Sequence, residues 1–150
     1  MRFTLDSNIL VYSLDRIAGD RHQAAIEIVA RAATLDSFLT TQSIGECLNV
    51  IRRKRLDRFD EAIIQARRWL KAFETVDTPG RLLPAAAAFA QQHKLQLWDA
   101  ILWQVARHAG AEALISEDLQ DGLSLDGLTV INPFNSANAR LLDAVLKSSQ

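Results

Sequence analysis

The chain has 150 residues, 49% hydrophobic and 23% charged, with a formal net charge of −1, a balance that suits one globular domain able to bury its own core and excludes disordered and fibrous classes. No apolar run approaches the roughly 18 residues of a membrane span, and the start MRFTLDSN lacks the apolar stretch of an export signal, so a cytoplasmic chain without a membrane partner is expected. Near-neutral charge gives no global pull on nucleic acid; a polyanion would need a local patch or bound cations to hold it.

Residues 2–5 read as a short strand that runs directly into a helix through TLDSNILVYSLD, with Asp6 or Ser7 as its N-cap. A helical period follows over 21–34, a strand over 37–41 (SFLTT), and a helix from 42 through QSIGECLNVIRRK. Next come a helix near 58–73, a short strand at 74–78, a helix from Pro84 to Lys94 and another from Trp98 to Ala109. Pro84 suits a first helical turn. EALIS is the fourth strand, EDLQDG a polar turn and LTVI the fifth strand, after which Asn132 and Pro133 break into a last helix reaching about Lys147. Five strands that alternate with helices and lack a strict period of two predict an α/β fold with a parallel sheet covered on both faces. No repeat or linker divides 1–150, so a single domain is expected. The one cysteine, Cys47, sits in a helical apolar pattern and reads as a buried thiol.

The acids are the informative residues. Parallel α/β sheets gather function beyond the carboxyl ends of their strands, where strand order reverses. Asp6 follows strand one, and Asp118 and Asp121 follow strand four, so these acids face each other if strands one and four are neighbours. Glu46 lies opposite the Ile44, Cys47, Leu48 and Ile51 stripe of its helix, as a solvated glutamate or a site residue would. Asp99 projects near an apolar face, as a cap or a ligand. Singly, each acid has a structural reading as a helix cap or turn residue. Together they bring carboxylates from four chain locations toward one sheet edge, where they would repel and take up protons unless a cation neutralised them. Oxygen ligands without histidine or cysteine at ligand spacing point to Mg²⁺ or Mn²⁺. His22, His93 and His108 are scattered and are not assigned as ligands.

At these residues the chain resembles the PIN-domain family of metal-dependent ribonucleases, and within it the VapC-like toxins of toxin-antitoxin pairs. The matching stretches are LDSNILVYSLD, TQSIGECLNV, LQLWDAILWQVARHAGAEALISEDLQDG and VINPF, in the family's order between residues 3 and 134. The resemblance implies a PIN-like three-layer fold, its central parallel five-stranded sheet flanked by helices. It implies an acidic core of Asp6, Glu46, Asp99 and Asp118, with Asn8 and Ser116 as polar supports. Some relatives carry Asn at the position of Asp118 and an acid three residues later, so Asp121 is the alternative fourth acid; Asp118, nearer the strand end, is favoured. It further implies a type II toxin that hydrolyses RNA, tRNA among the candidates, is blocked by a cognate antitoxin and forms a homodimer.

A phosphodiester and a nucleophile would both be repelled by four carboxylates, so a divalent ion is expected to bridge them and activate water, with no side-chain nucleophile. Asp6 and Asp99 are assigned as direct ligands, with Glu46 and Asp118 as ligands through water or as groups that orient and deprotonate the attacking water. Arg52, Arg53, Lys54, Arg55 and Arg58 at the end of the Glu46 helix suit either the helix dipole or RNA phosphates. Trp69, Trp98 and Trp103 recur in apolar helical patterns and are expected in the core. Three other functions are compatible with the residues: an RNA-processing nuclease outside a toxin pair, a silent module that docks a basic peptide, and a metal-dependent phosphatase. The phosphatase commonly needs a second Asp where Asn8 stands.

Overall fold

The computed structural model describes residues 1–147. Its elements alternate: β1 (Phe3–Leu5), α1 (Ser7–Leu14), α2 (Asp20–Ala32), β2 (Ser37–Thr40), α3 (Thr41–Lys54), α4 (Phe59–Ala72), β3 (Glu74–Val76), α5 (Leu82–His93), α6 (Leu97–His108), β4 (Ala113–Ile115), β5 (Ser124–Leu125), β6 (Leu128–Ile131) and α7 (Ala139–Val145). The sheet order is β3-β2-β1-β4-β6-β5. β1 is paired in parallel with both β2 and β4, Phe3 opposite Ser37 on one side and Ala113 on the other. Strand order therefore reverses between β1 and β4.

Alternation along the strands feeds two cores. Phe3, Leu5, Leu39, Ile115 and Ile131 pack with α1 to α4 and α7, while Phe38, Leu114, Leu128 and Val130 pack with α5 and α6 around Trp103. Successive side chains of a strand point to opposite faces, so three- or four-residue strands of nearly unbroken apolar sequence suffice for a middle layer between two helical ones. Cys47 lies in the first core, its thiol pushed up to about 12 by burial.

Two expectations need correction. The sheet has six strands, because Ser124–Leu125 pairs antiparallel with β6, Leu125 opposite Leu128. The connecting residues Asp126 and Gly127 have φ of 51° and 84°, the two positive values a tight two-residue hairpin turn requires. Asp-Gly was the available signal, overlooked because the strand before it has only two residues. The last helix starts at Ala139 rather than just after Pro133, since the chain first wraps Asp121 in an asparagine-rich turn. No helix of the described residues is long and apolar enough to cross a membrane.

Candidate active site

The sheet carries two of the site residues into place. Beyond the last paired residues of β1 and β4 the ladder continues, with the Asp6 amide donating to the Ile115 carbonyl at 2.9 Å and the Ser116 amide to the Ile131 carbonyl at 3.1 Å. Asp6 and Ser116 thus leave the reversal point side by side. The Ser116 hydroxyl donates to Asp6 Oδ2 at 2.7 Å and accepts from the amides of Asp118 at 3.1 Å and Leu119 at 3.3 Å. Asp6 Oδ1 accepts from the Ser7 amide at 2.7 Å, so the residue caps α1 through one oxygen while the other meets Ser116. Asn8 Nδ2 reaches Asp6 Oδ2 and Ser116 Oγ, each at 3.4 Å, while its Oδ1 accepts from the Glu117 amide at 3.3 Å.

Glu46 is aimed by neighbours on two helices. The Ser7 hydroxyl donates to its Oε2 at 3.2 Å, and Gln42, one turn earlier on α3, donates through Nε2 to its Oε1 and to the Trp98 carbonyl at the start of α6. Asp99 is the third residue of α6, whose cap position is Gln96, so it is not the cap. Its place in the first turn, where the helix dipole favours negative charge, leaves both its oxygens free of hydrogen bonds, as are those of Asp118, among the described residues. Glu46, Asn49, Trp98, Asp99 and Asp118 line one cleft of about 700 Å³, with Asp6 bonded through Ser116 to the loop that carries Asp118.

Charge is uncompensated here. Asp6 is 4% exposed, and among the described residues none of Asp6, Glu46, Asp99 and Asp118 has an arginine, lysine or histidine partner within ion-pair distance. Burial pushes the Asp6 carboxyl up to about 6, Ser116 and the Ser7 amide pull against that rise, and the Glu46 and Asp118 charges add to it. Asp99 is raised as well, by burial first and then by Asp118 and Glu46. Asp6 and Asp99 are thus both raised by the charges of Glu46 and Asp118, as acids gathered at one site are. Among the described residues no three histidine, cysteine, aspartate or glutamate side chains already enclose an ion position. The donor set still suits a hard divalent cation: all oxygen, no cationic competitor, and two carboxylates with no other bond.

Asp121 has other work. It accepts from the Asn132 amide at 2.9 Å, from Asn135 Nδ2 at 2.8 Å and from Asn138 Nδ2 at 2.9 Å, bonds that hold its carboxyl below the usual range. It ties the turn after β4 to the chain entering α7, while Asp118 is the one that lines the cleft. Asp121→Ala is expected to lower the thermal midpoint by about 2–5 °C, as read by scanning calorimetry.

The basic stretch divides. Arg55 is ion-paired with Asp15 at 3.1 Å and Asp57 at 3.5 Å, Arg58 with Glu61 at 3.4 Å, and the Arg52 guanidinium lies 5.9 Å from the Phe59 ring centre. Arg53 and Lys54 are exposed with no such partner among the described residues. The histidines stay outside the cleft: His22 Nδ1 is 2.8 Å from the Tyr12 carbonyl, His93 packs on Phe89, and His108 meets Arg81. Trp69 and Trp103 are core residues, but Trp98 is exposed, which corrects the expectation for it. Sequence reasoning also passed over Ser7 and Gln42 as supports of Glu46; the i, i+4 spacing of Gln42 and Glu46 was the readable signal.

The PIN domain family model matches residues 3–120. A search of curated proteins gave no match. Among solved structures, the chain is similar to VapC20 of Mycobacterium tuberculosis, a sarcin-ricin loop cleaving toxin, with a TM-score of 0.65 and 18% identity over 77% of this chain and 89% of that one. It is similar to a toxin-antitoxin complex from Klebsiella pneumoniae, with a TM-score of 0.62 and 21% identity over 87% of this chain and 97% of that one. VapBC2 from Rickettsia felis, bound to a DNA fragment from its promoter, matches with a TM-score of 0.63 and 14% identity over 88% and 98%. At these identities the likeness establishes the fold.

Proposed function

The chain belongs to the PIN-domain family, and from that premise we propose that it is a Mg²⁺- or Mn²⁺-dependent endoribonuclease, the toxin of a type II toxin-antitoxin pair. The observation that carries the nuclease reading is Asp6: a carboxylate 4% exposed, in the field of Glu46 and Asp118, with no cationic partner among the described residues. A buried charge left unpaired in this way costs several kcal/mol, a cost that a divalent cation bound among the acids would offset.

Asp6, Asp99 and Asp118 would hold that ion, with Glu46 reaching it through water. The chemistry it supplies there is Lewis acidity, which offsets the charge of the phosphodiester and makes water easier to deprotonate. The chain's own part is placement. Ser7 and Ser116 fix the Asp6 oxygens, and Ser7 and Gln42 fix those of Glu46, so these two acids are held in place while the oxygens of Asp99 and Asp118, with no protein hydrogen bond among the described residues, are left to the ion. Hydrolysis adds water across a P–O bond. Glu46, the acid left outside the direct ligand set, takes the water proton, the water oxygen bonds to phosphorus, and the leaving oxygen departs in line and is protonated from solvent.

The toxin role is supported by the solved structures to which the chain is similar, which include a toxin-antitoxin complex and VapBC2. It implies a cognate antitoxin that covers the acids, and a second copy of the chain as partner. Cleavage of end-labelled RNA, suppressed by a co-purified small partner protein and restored on its removal, tests that role.

Arg53 and Lys54 extend the Glu46 helix toward the substrate backbone. The double variant Arg53→Ala, Lys54→Ala is expected to weaken single-stranded RNA binding and to reduce the slope of log affinity against log salt by about 1.4 if both contact phosphates. Filter binding across a salt series reads it; an unchanged slope would remove both residues from the RNA path.

A further inference from the structure

A second hollow of about 820 Å³ adjoins the acid cleft, and the two share Gln42 and Trp98 in their walls. No residue lining the second hollow is charged; Leu83 and Pro84 of α5 and Leu97 and Ile101 of α6 make most of it apolar. Trp98 is 64% exposed, against 2% for Trp69 and 0% for Trp103. Its backbone is nonetheless tied down, because the Gln42 amide that orients Glu46 also donates to the Trp98 carbonyl at 2.9 Å. One side chain therefore fixes an acid and the foot of an open indole together. Leaving such a ring in water forgoes a large burial, and it stands next in sequence to Asp99.

We propose that Trp98, with the Leu83 and Leu97 shelf beside it, stacks an unpaired base of the RNA next to the scissile phosphodiester. This rests on the ribonuclease reading of the acid cleft. A nucleotide joins an anionic phosphate to a neutral base with two π-faces. The site divides in the same way, with acids that suit a cation and a phosphate on one side of Trp98 and an uncharged aromatic shelf on the other. Bases in a continuous duplex are covered on both faces by their neighbours, whereas an unstacked base in a loop or bulge offers a face to an aromatic side chain. Every base has such a face, so the shelf selects strandedness rather than sequence. Trp98 is a positioning residue: it touches the base and leaves the reacting atoms to the acids.

Because Trp69 and Trp103 are buried, iodide-quenchable tryptophan emission comes from Trp98. The first arm of the test adds a mixed-sequence 12-nucleotide RNA, single-stranded or annealed to its complement, to the wild-type chain in Ca²⁺, a hard cation for the same oxygens. The single strand is expected to alter the Trp98 emission and shield it from iodide, and the duplex to do neither. The second arm measures cleavage in Mg²⁺ or Mn²⁺. Trp98→Ala is expected to raise KM about tenfold or more with kcat within about threefold, Trp98→Phe to recover most of the loss, and an abasic nucleotide beside the cut to impair the wild type but not Trp98→Ala. Unchanged KM in Trp98→Ala, or emission indifferent to single-stranded RNA, overturns the stacking. So does emission already shielded from iodide in the free chain, with Trp98→Ala converting a dimer to a monomer, which would give the shelf to a second copy. Single-stranded RNA that alters Trp98 emission without being cut in any divalent metal would instead defeat the nuclease reading and leave the stacking standing.

Discussion

Asp6→Asn is expected to abolish cleavage while making the metal-free chain more stable. The carboxyl is 4% exposed, and burial together with Glu46 and Asp118 raises it from an ordinary 3.8 to about 6. A carboxylate whose folded pKa is raised is destabilising wherever it is charged in the folded state. Its cost is full above about pH 6, shrinks as pH falls below that, and vanishes below about 3.8. The shift of about two units corresponds to at most about 3 kcal/mol. Asparagine removes the charge, and it gives up the acceptor for the Ser116 hydroxyl, which returns about 1 kcal/mol of that gain. The net expectation in EDTA at pH 7.5 is a rise of about 3–6 °C in thermal midpoint, together with a flatter dependence on pH between 4 and 6. Cleavage is expected to fall by about 10³ or more, the loss of a group on which substrate charge depends. A lower midpoint in EDTA would show Asp6 to be a structural cap whose charge the fold already accommodates.

Ser116→Ala is expected to have the second largest effect. The side chain is fully buried, and its one oxygen serves Asp6, Asn8 and two amides of the loop that carries Asp118. Alanine leaves those buried groups short of a partner, at about 1–3 kcal/mol of stability. It also releases both acids from their common anchor. Removing a residue that orients ligands typically costs 10–100-fold in metal affinity or activity, so Mn²⁺ affinity by calorimetry and kcat are both expected to fall within about that range. Full activity with an altered midpoint would confine Ser116 to the fold.

The layer order was legible because each strand is a short apolar run followed by a helix signal. That Asp6 and Asp118 come near each other was legible for a related reason: both follow the ends of apolar strands, and β1 pairs with β4. Trp98 was misjudged because helical periodicity reports which stripe a residue occupies, not whether another element covers it. α5 packs against α6 yet leaves the first turn of α6 open, a tertiary fact invisible in a local pattern. Asp121 was ambiguous for the opposite reason. Its partners Asn132, Asn135 and Asn138 lie beyond the next hairpin, so a structural carboxylate and a site carboxylate looked alike until the chain was folded. β5 was lost to its length, two residues being too few to show any period.

Whether these four acids cut RNA is decided by incubating the purified chain with end-labelled tRNAs and structured RNAs in Mg²⁺ or Mn²⁺, beside EDTA and Asp6→Asn controls, with Mn²⁺ binding followed by calorimetry on the same preparation. The predicted result is cleavage that needs the divalent ion, together with a saturable Mn²⁺ site weakened in Asp6→Asn. Cleavage that persists in EDTA or in Asp6→Asn, or a chain that neither binds Mn²⁺ nor cuts any RNA, would contradict it.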